Sequence, residues 1–217
     1  MPYTGPITGE VFTRFLRCEL ETELHFLGVI GADREFRNWQ DAYRERYKQS
    51  ALVVLRSRYQ DHEIHVGTPA ATALKRKRWR LIIDVIAESS EFRVCVDAAE
   101  LMQLPLHRMT SSYRPIRFVP GEKITRSDKL RLAFDALALS SITGAVPPAG
   151  QIIHGDRYAT TTVPLAKPIR EVRAMLGKIA ALRNRTAPRQ PVLNKHCVEC
   201  EFRSRCRASA LERDDLV

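Results

Sequence analysis

Hydrophobic positions recur along this chain with two periods, and the switches between them lay out an α/β order. In TGEVFTRFLRCELETELHFLG, Val11, Phe12, Phe15 and Leu16 share one helical face, so the chain is expected to open on a helix. Residues 34–59 keep that period, with Phe36, Trp39, Tyr43 and Tyr47 leading into Ala51–Leu55. WRLIIDVIAES and EFRVCVDAAEL then read as two strands joined at Ser89 and Ser90, and YRPIRFV as a third, closed by Pro120 and Gly121. SDKLRLAFDALALSSITG predicts a helix with Ser127 as N-cap and Gly144 just past its end. QIIHGDRYATTTVPL predicts a hairpin turning at Gly155 and Asp156, and IREVRAMLGKIAALRN a long amphipathic helix. Pro188 and Pro191 interrupt the chain before its last segment.

With 217 residues the chain can bury a real core, which suggests one domain with a small appendage. No apolar run approaches the roughly 20 residues of a membrane span. The opening MPYTGPITGEVFTRFL lacks the layout of a signal peptide, so a cytoplasmic protein with no membrane partner is expected. Charge changes the picture more. Thirty-five Lys and Arg stand against 25 Asp and Glu, a net +10 that favours a polyanion, with DNA or RNA ahead of an acidic membrane. Lys75, Arg76, Lys77, Arg78 and Arg80 surround Trp79, and Arg170, Arg173, Lys178, Arg183, Arg185 and Arg189 form a second basic set. Such cations neutralise phosphates, and an aromatic among them can stack on an unpaired base. Trp79 suits a core position equally well.

HCVECEFRSRC holds three of the five cysteines, Cys197, Cys200 and Cys206, as C-x2-C-x5-C. Soft thiolates at that spacing can turn onto one centre, and both zinc and iron–sulfur clusters usually want four ligands. His196 could complete a zinc site; otherwise the fourth ligand is Cys18 or Cys95. Cys95 alternates within FRVCV and reads as a buried structural thiol.

The tail VLNKHCVECEFRSRCRASALERDDL, the stretch YRPIRFVPGEKITRSDKLRLAFDALAL and the turn GQIIHGD together resemble RecB-type nucleases. These form a branch of the PD-(D/E)xK superfamily that includes the CRISPR-associated adaptation exonucleases. The resemblance spans nearly the whole chain and is strongest from Tyr113 to Leu216. It implies a restriction-endonuclease-like α/β core, a central mixed sheet flanked by helices, with a C-terminal Cys-rich iron–sulfur segment. The division it implies is an N-terminal helical region over 1–60, the nuclease-like core over 61–190, and the iron–sulfur segment over 191–217. It implies a [4Fe–4S] cluster held by Cys18, Cys197, Cys200 and Cys206; zinc on the same thiolates, or with His196 replacing Cys18, is the alternative. It further implies a metal-dependent deoxyribonuclease acting on DNA with a single-stranded end, in repair or antiviral defence, alone or within a larger complex.

Active members of that family place a His on the first helix, an Asp at a strand end, an acid-x-Lys on the next strand and a Gln-x3-Tyr on the helix after it. The acids hold Mg²⁺ or Mn²⁺, which activates water and stabilises the phosphoryl transition state. By this resemblance His62, beside Glu63, matches the His, and Asp97 matches the first acid, with Asp84 as its competitor. The strand expected to carry acid-x-Lys reads Pro115-Ile116-Arg117-Phe118-Val119, with neither an acid nor a Lys. Glu122 and Lys123 follow in the loop, and the Gln-x3-Tyr place reads Arg131-Leu132-Ala133-Phe134-Asp135. An active site would bring Asp97 and Glu122 within roughly 5 Å around one metal. An inactive one would put Arg117 where the metal belongs, able to hold a DNA phosphate. Three readings follow: a nuclease using Asp97, Glu122 and Lys123; an iron–sulfur DNA-binding module of a larger complex that does not cut; or a zinc-stapled interaction domain.

Overall fold

A computed structural model describes residues 5–32, 35–70, 73–74, 79–102 and 112–213. The basic run Lys75, Arg76, Lys77 and Arg78 lies outside the described residues. Among those described, seven strands form one mixed sheet: β1 (Ile7–Thr8), β2 (Ile64–Val66), β3 (Leu81–Glu88), β4 (Phe92–Met102), β5 (Ser112–Val119), β6 (Ala149–His154) and β7 (Ala159–Pro164). Their order is β2-β3-β4-β5-β6-β7, with β1 beside β4. β3, β4 and β5 run antiparallel in sequence, β2 and β6 join them in parallel, and β7 returns antiparallel to β6. The helices are α1 (Gly9–Arg17), α2 (Glu19–Phe26), α3 (Glu35–Arg56), α4 (Arg126–Thr143), α5 (Ala166–Arg183) and α6 (Arg203–Leu211).

The chain divides into two compact units. One comprises residues 1–5, 10–43 and 175–217; the other comprises 6–9 and 44–174 and carries the sheet. In the sheet unit, Ala51, Leu52 and Leu55 of α3 pack against Leu81, Ile83, Ala98, Ile116, Phe118 and Ile153. Burial of this kind is worth roughly 1.5–3 kcal/mol per large apolar side chain. Arg117 alternates with Ile116 and Phe118, so its side chain leaves from the opposite face, where it meets Asp135 of α4. Helices therefore cover both faces. Gly150 of β6 packs closely against α4: a Cβ there would lie 3.0 Å from the Leu132 side chain, which would have to give way.

Three sequence expectations change. The opening helix is two helices, broken at Cys18, whose φ of −163° and ψ of 123° are extended. The N-cap of α4 is Thr125 rather than Ser127: its hydroxyl accepts from the Asp128 backbone N–H while the Asp128 carboxylate accepts from Thr125 N. Gly144 does end α4, at φ 78°. Cys95 is exposed on β4, not buried, because it points away from the packed side of Val94 and Val96. The strands β1 and β2, two and three residues long, are too short to show an alternation and were not expected.

Candidate functional site

β3 and β4 form a hairpin whose turn is tied by Ser89: its N–H donates to Phe92 O, and its hydroxyl accepts from the N–H groups of Glu91 and Phe92. Register from that turn puts Asp84 opposite Asp97. The pairs Ile83↔Ala98 and Val85↔Val96 close on either side, but the rung between them is missing. Asp84 has φ 55°, the left-handed region that a side chain normally avoids and that aspartate tolerates better than most. Strain of this kind costs on the order of 1–3 kcal/mol and persists where surrounding structure enforces it. What lies between the two carboxylates is the ammonium of Lys48 from α3, 2.6 Å from Asp84 Oδ1 and 3.7 Å from Asp97 Oδ1. Burial works against that charge, yet the hydrogen bond to Asp84 and the charge of Asp97 outweigh it and hold the Lys48 pKa above its ordinary value.

The other expected residues are placed elsewhere. Glu122 is exposed, and its carboxylate accepts from the Asp156 N–H at the β6–β7 turn. A Cβ on Gly155 would fall 2.6 Å from that carboxylate, and its φ of 69° adds a second reason for glycine. The acid facing Asp97 is thus Asp84, and Glu122 serves the turn; Lys123 is exposed beside it. His62 is exposed on a single 3₁₀ turn, Asp61–Glu63, after α3. Glu63 pairs with Arg80 at 3.0 Å, and Arg80 also lies over the Tyr59 ring. Trp79 stacks on His65 at 4.3 Å between centroids.

Arg117 is not open to a phosphate. Its guanidinium grips both oxygens of the fully buried Asp135, with Nε to Oδ2 at 2.8 Å and Nη2 to Oδ1 at 2.7 Å. Burial pushes the Asp135 carboxyl up to about 6 against the pull of Arg117. Asp135→Ala should cost about 3–5 kcal/mol in chemical denaturation, because it strands a buried guanidinium; a loss below about 1 kcal/mol, the worth of an exposed pair, would mean that Arg117 reaches solvent. One turn earlier on α4, Arg131 has no carboxylate partner among the described residues. Desolvation, then the charges of Arg117 and Arg44, lower its pKa to about 10 against the pull of Asp135 and Asp97.

In the other unit, Cys18, Cys197, Cys200 and Cys206 line one pocket with Leu20 and Phe202. Cys18 stands at the break between α1 and α2, Cys197 in the 3₁₀ turn Lys195–Glu199, Cys200 at its end, and Cys206 within α6. Backbone N–H groups of Asn194 and Phe202 point at the Cys197 and Cys200 sulfurs, at 3.2 and 3.5 Å. Burial first, with Glu21, Cys206 and Cys18 adding to it, pushes the Cys200 thiol up to about 11. The pocket the four thiols line with these neighbours encloses about 10 Å³, room for about one water. Among the described residues no three of His, Cys, Asp or Glu stand in ligating positions. His196 lines the same pocket; Cys95, on β4, does not.

Buried ion pairs hold this pocket's walls. Arg14 of α1 and Arg37 of α3 both bridge Glu21 and Glu201, whose side chains are almost fully enclosed. Arg189 grips Glu23 through its backbone N–H and its Nε, each at 2.8 Å, and Arg185 adds a longer contact. Gly31 lets the chain pass: a Cβ there would sit 2.3 Å from the Glu201 side chain. No length of sequence between 18 and 197 announces these partners.

No family model matches the chain, and no curated protein matches it. Among solved structures it is similar to SSO0001, known from a crystal structure, with 15% identity over 96% of this chain and 89% of that one and a TM-score of 0.48. No helix among the described residues is long and apolar enough to cross a membrane.

Proposed function

We propose that the chain is a RecB-type iron–sulfur DNA-processing protein of the PD-(D/E)xK kind, a divalent-metal-dependent deoxyribonuclease whose acids are Asp84 and Asp97. The observation that carries this is the strained Asp84 facing Asp97 across β3 and β4, with the Lys48 ammonium between them. Two convergent carboxylates suit Mg²⁺ or Mn²⁺, which holds to one or two acids and keeps water for the rest of its shell. Such a cation, when bound, supplies Lewis acidity and a more acidic water. Asp84 and Asp97 would fix its place; Lys48 would steady the water or the developing negative charge, from a helix instead of from an acid-x-Lys strand. The thiols of Cys18, Cys197, Cys200 and Cys206 fit a [4Fe–4S] cluster as a donor set, and zinc is the alternative.

The sealed Arg117–Asp135 pair in the place of the usual polar motifs favours a second reading, an iron–sulfur DNA-binding module that does not cut. Incubating wild-type protein with single-stranded and duplex DNA in Mg²⁺, Mn²⁺ or chelator separates the two. Metal-dependent fragments are expected. Retarded but intact DNA under every condition would leave the binding module standing.

A further inference from the structure

The first half of α3 carries three large rings that stay about half exposed. Phe36, Trp39 and Tyr43 are 43%, 56% and 44% exposed. They stack on one another along the helix: Phe36 to Trp39 at 6.0 Å and 22°, Trp39 to Tyr43 at 5.7 Å and 2°. Parallel rings at that centroid spacing are offset, so each leaves part of its face open. Phe36 also lines a cavity of about 490 Å³ together with Val198, Glu199, Glu201 and Arg203, within the roughly 300–1,000 Å³ of ligand pockets. Glu201 is neutralised there by Arg14 and Arg37, and Glu199 accepts a hydrogen bond from Gln40. Beside them α6, RSRCRASAL, presents Arg203, Arg205 and Arg207, all exposed, contains no acid, and gives these three no carboxylate partner among the described residues.

We propose that the Phe36–Trp39–Tyr43 ladder and the arginines of α6 form a platform for single-stranded DNA, with bases on the rings and phosphates on Arg203 and Arg207. Open aromatic faces next to unmatched guanidiniums are what an unpaired strand requires, since every base has a stacking face and every nucleotide a charge. A protein partner would use the same apolar area but has no general need for three arginines free of acids. The platform takes its choice of partner from the DNA-directed reading above, yet it shares no residue with the Asp84–Asp97 site.

Fluorescence anisotropy with labelled oligothymidylate tests it. Trp39→Ala should weaken binding roughly 5- to 150-fold, the range that stacking supplies per base, while Trp39→Phe keeps most of the affinity. Arg203→Ala with Arg207→Ala should flatten the dependence of affinity on salt. In a Trp79→Phe background Trp39 is the remaining indole, and its emission should fall as oligothymidylate saturates the protein, whatever the stability of the alanine variant. Wild-type affinity in Trp39→Ala, or Trp39 emission that does not respond, would overturn the platform. So would a Trp39→Ala variant that binds DNA normally but no longer associates with a protein. Cleavage that persists without Trp39-dependent binding would defeat this inference alone; Trp39-dependent binding by a protein that cuts nothing would defeat only the nuclease reading.

Discussion

Asp97→Asn should lower Mg²⁺-dependent DNA cleavage on the order of 10³-fold while leaving DNA binding in chelator unchanged. The size follows from what the cation contributes: several kcal/mol of charge stabilisation at the phosphorus, with each 1.36 kcal/mol worth tenfold in rate. Removing either acid takes away one of the cation's two protein ligands, so Asp84→Asn should cost about as much as Asp97→Asn, and the double variant little more than either. Lys48→Ala should lose roughly 10²-fold, the effect of removing one preorganised donor from a developing charge. Glu122→Gln should cut nearly as fast as wild type, because its carboxylate is engaged with the Asp156 N–H. Initial rates on a labelled duplex with a single-stranded end decide it. Full activity in Asp84→Asn and Asp97→Asn would place the cation elsewhere.

Protein purified without oxygen should be brown and carry about four irons per chain, with the broad visible absorbance of an iron–sulfur cluster. Cys18→Ser should lose that iron and several kcal/mol of stability, because metal affinity that exists only in the folded state is folding free energy. The two losses should appear together in iron analysis and thermal melts, since Cys18 lies between α1 and α2 while its partners lie beyond residue 196. Cys95→Ser should keep full iron, as the exposed Cys95 is on β4 and does not line the pocket. Stoichiometric zinc without iron would assign the same thiols to zinc instead.

Much of the sheet unit could be read from the chain because its signals are local. β3, β4 and β5 announce themselves by apolar alternation, and Gly144 ends α4 where its left-handed φ requires. The Asp84–Asp97 pairing was within reach as well, since both acids stand nearly equidistant from the Ser89–Ser90 turn and register alone sets them opposite. Lys48 was not, because nothing in RERYKQS tells which side chain of a helix will reach two strand carboxylates. Arg117 misled for the same reason: its partner Asp135 is local to neither strand nor loop. The gathering of four cysteines was suggested by resemblance, whereas the ion pairs of Arg14, Arg37, Glu21 and Glu201 that wall their pocket leave no periodic trace. The exposed ladder on α3 looked in sequence like an ordinary helical face, as periodicity reports which residues share a side and not what covers it.

The Arg14–Glu201 bond joins positions 187 residues apart, and this bears on the order in which the protein is made. A ribosome delivers the chain at roughly 5–20 residues per second. Residues 44–174, the bulk of the sheet unit, have therefore been polymerised before Glu201 exists. Until then Arg14 lacks Glu201, and Cys18 lacks the three thiols that line its pocket. A chain truncated near residue 190 and released from the ribosome should then show a protease-resistant sheet unit and a Cys18 that a thiol reagent labels at once, whereas the full chain should hide it. Slow translation through the last segment would lengthen that exposure and, with it, the time in which Cys18 can be oxidised before its partners arrive.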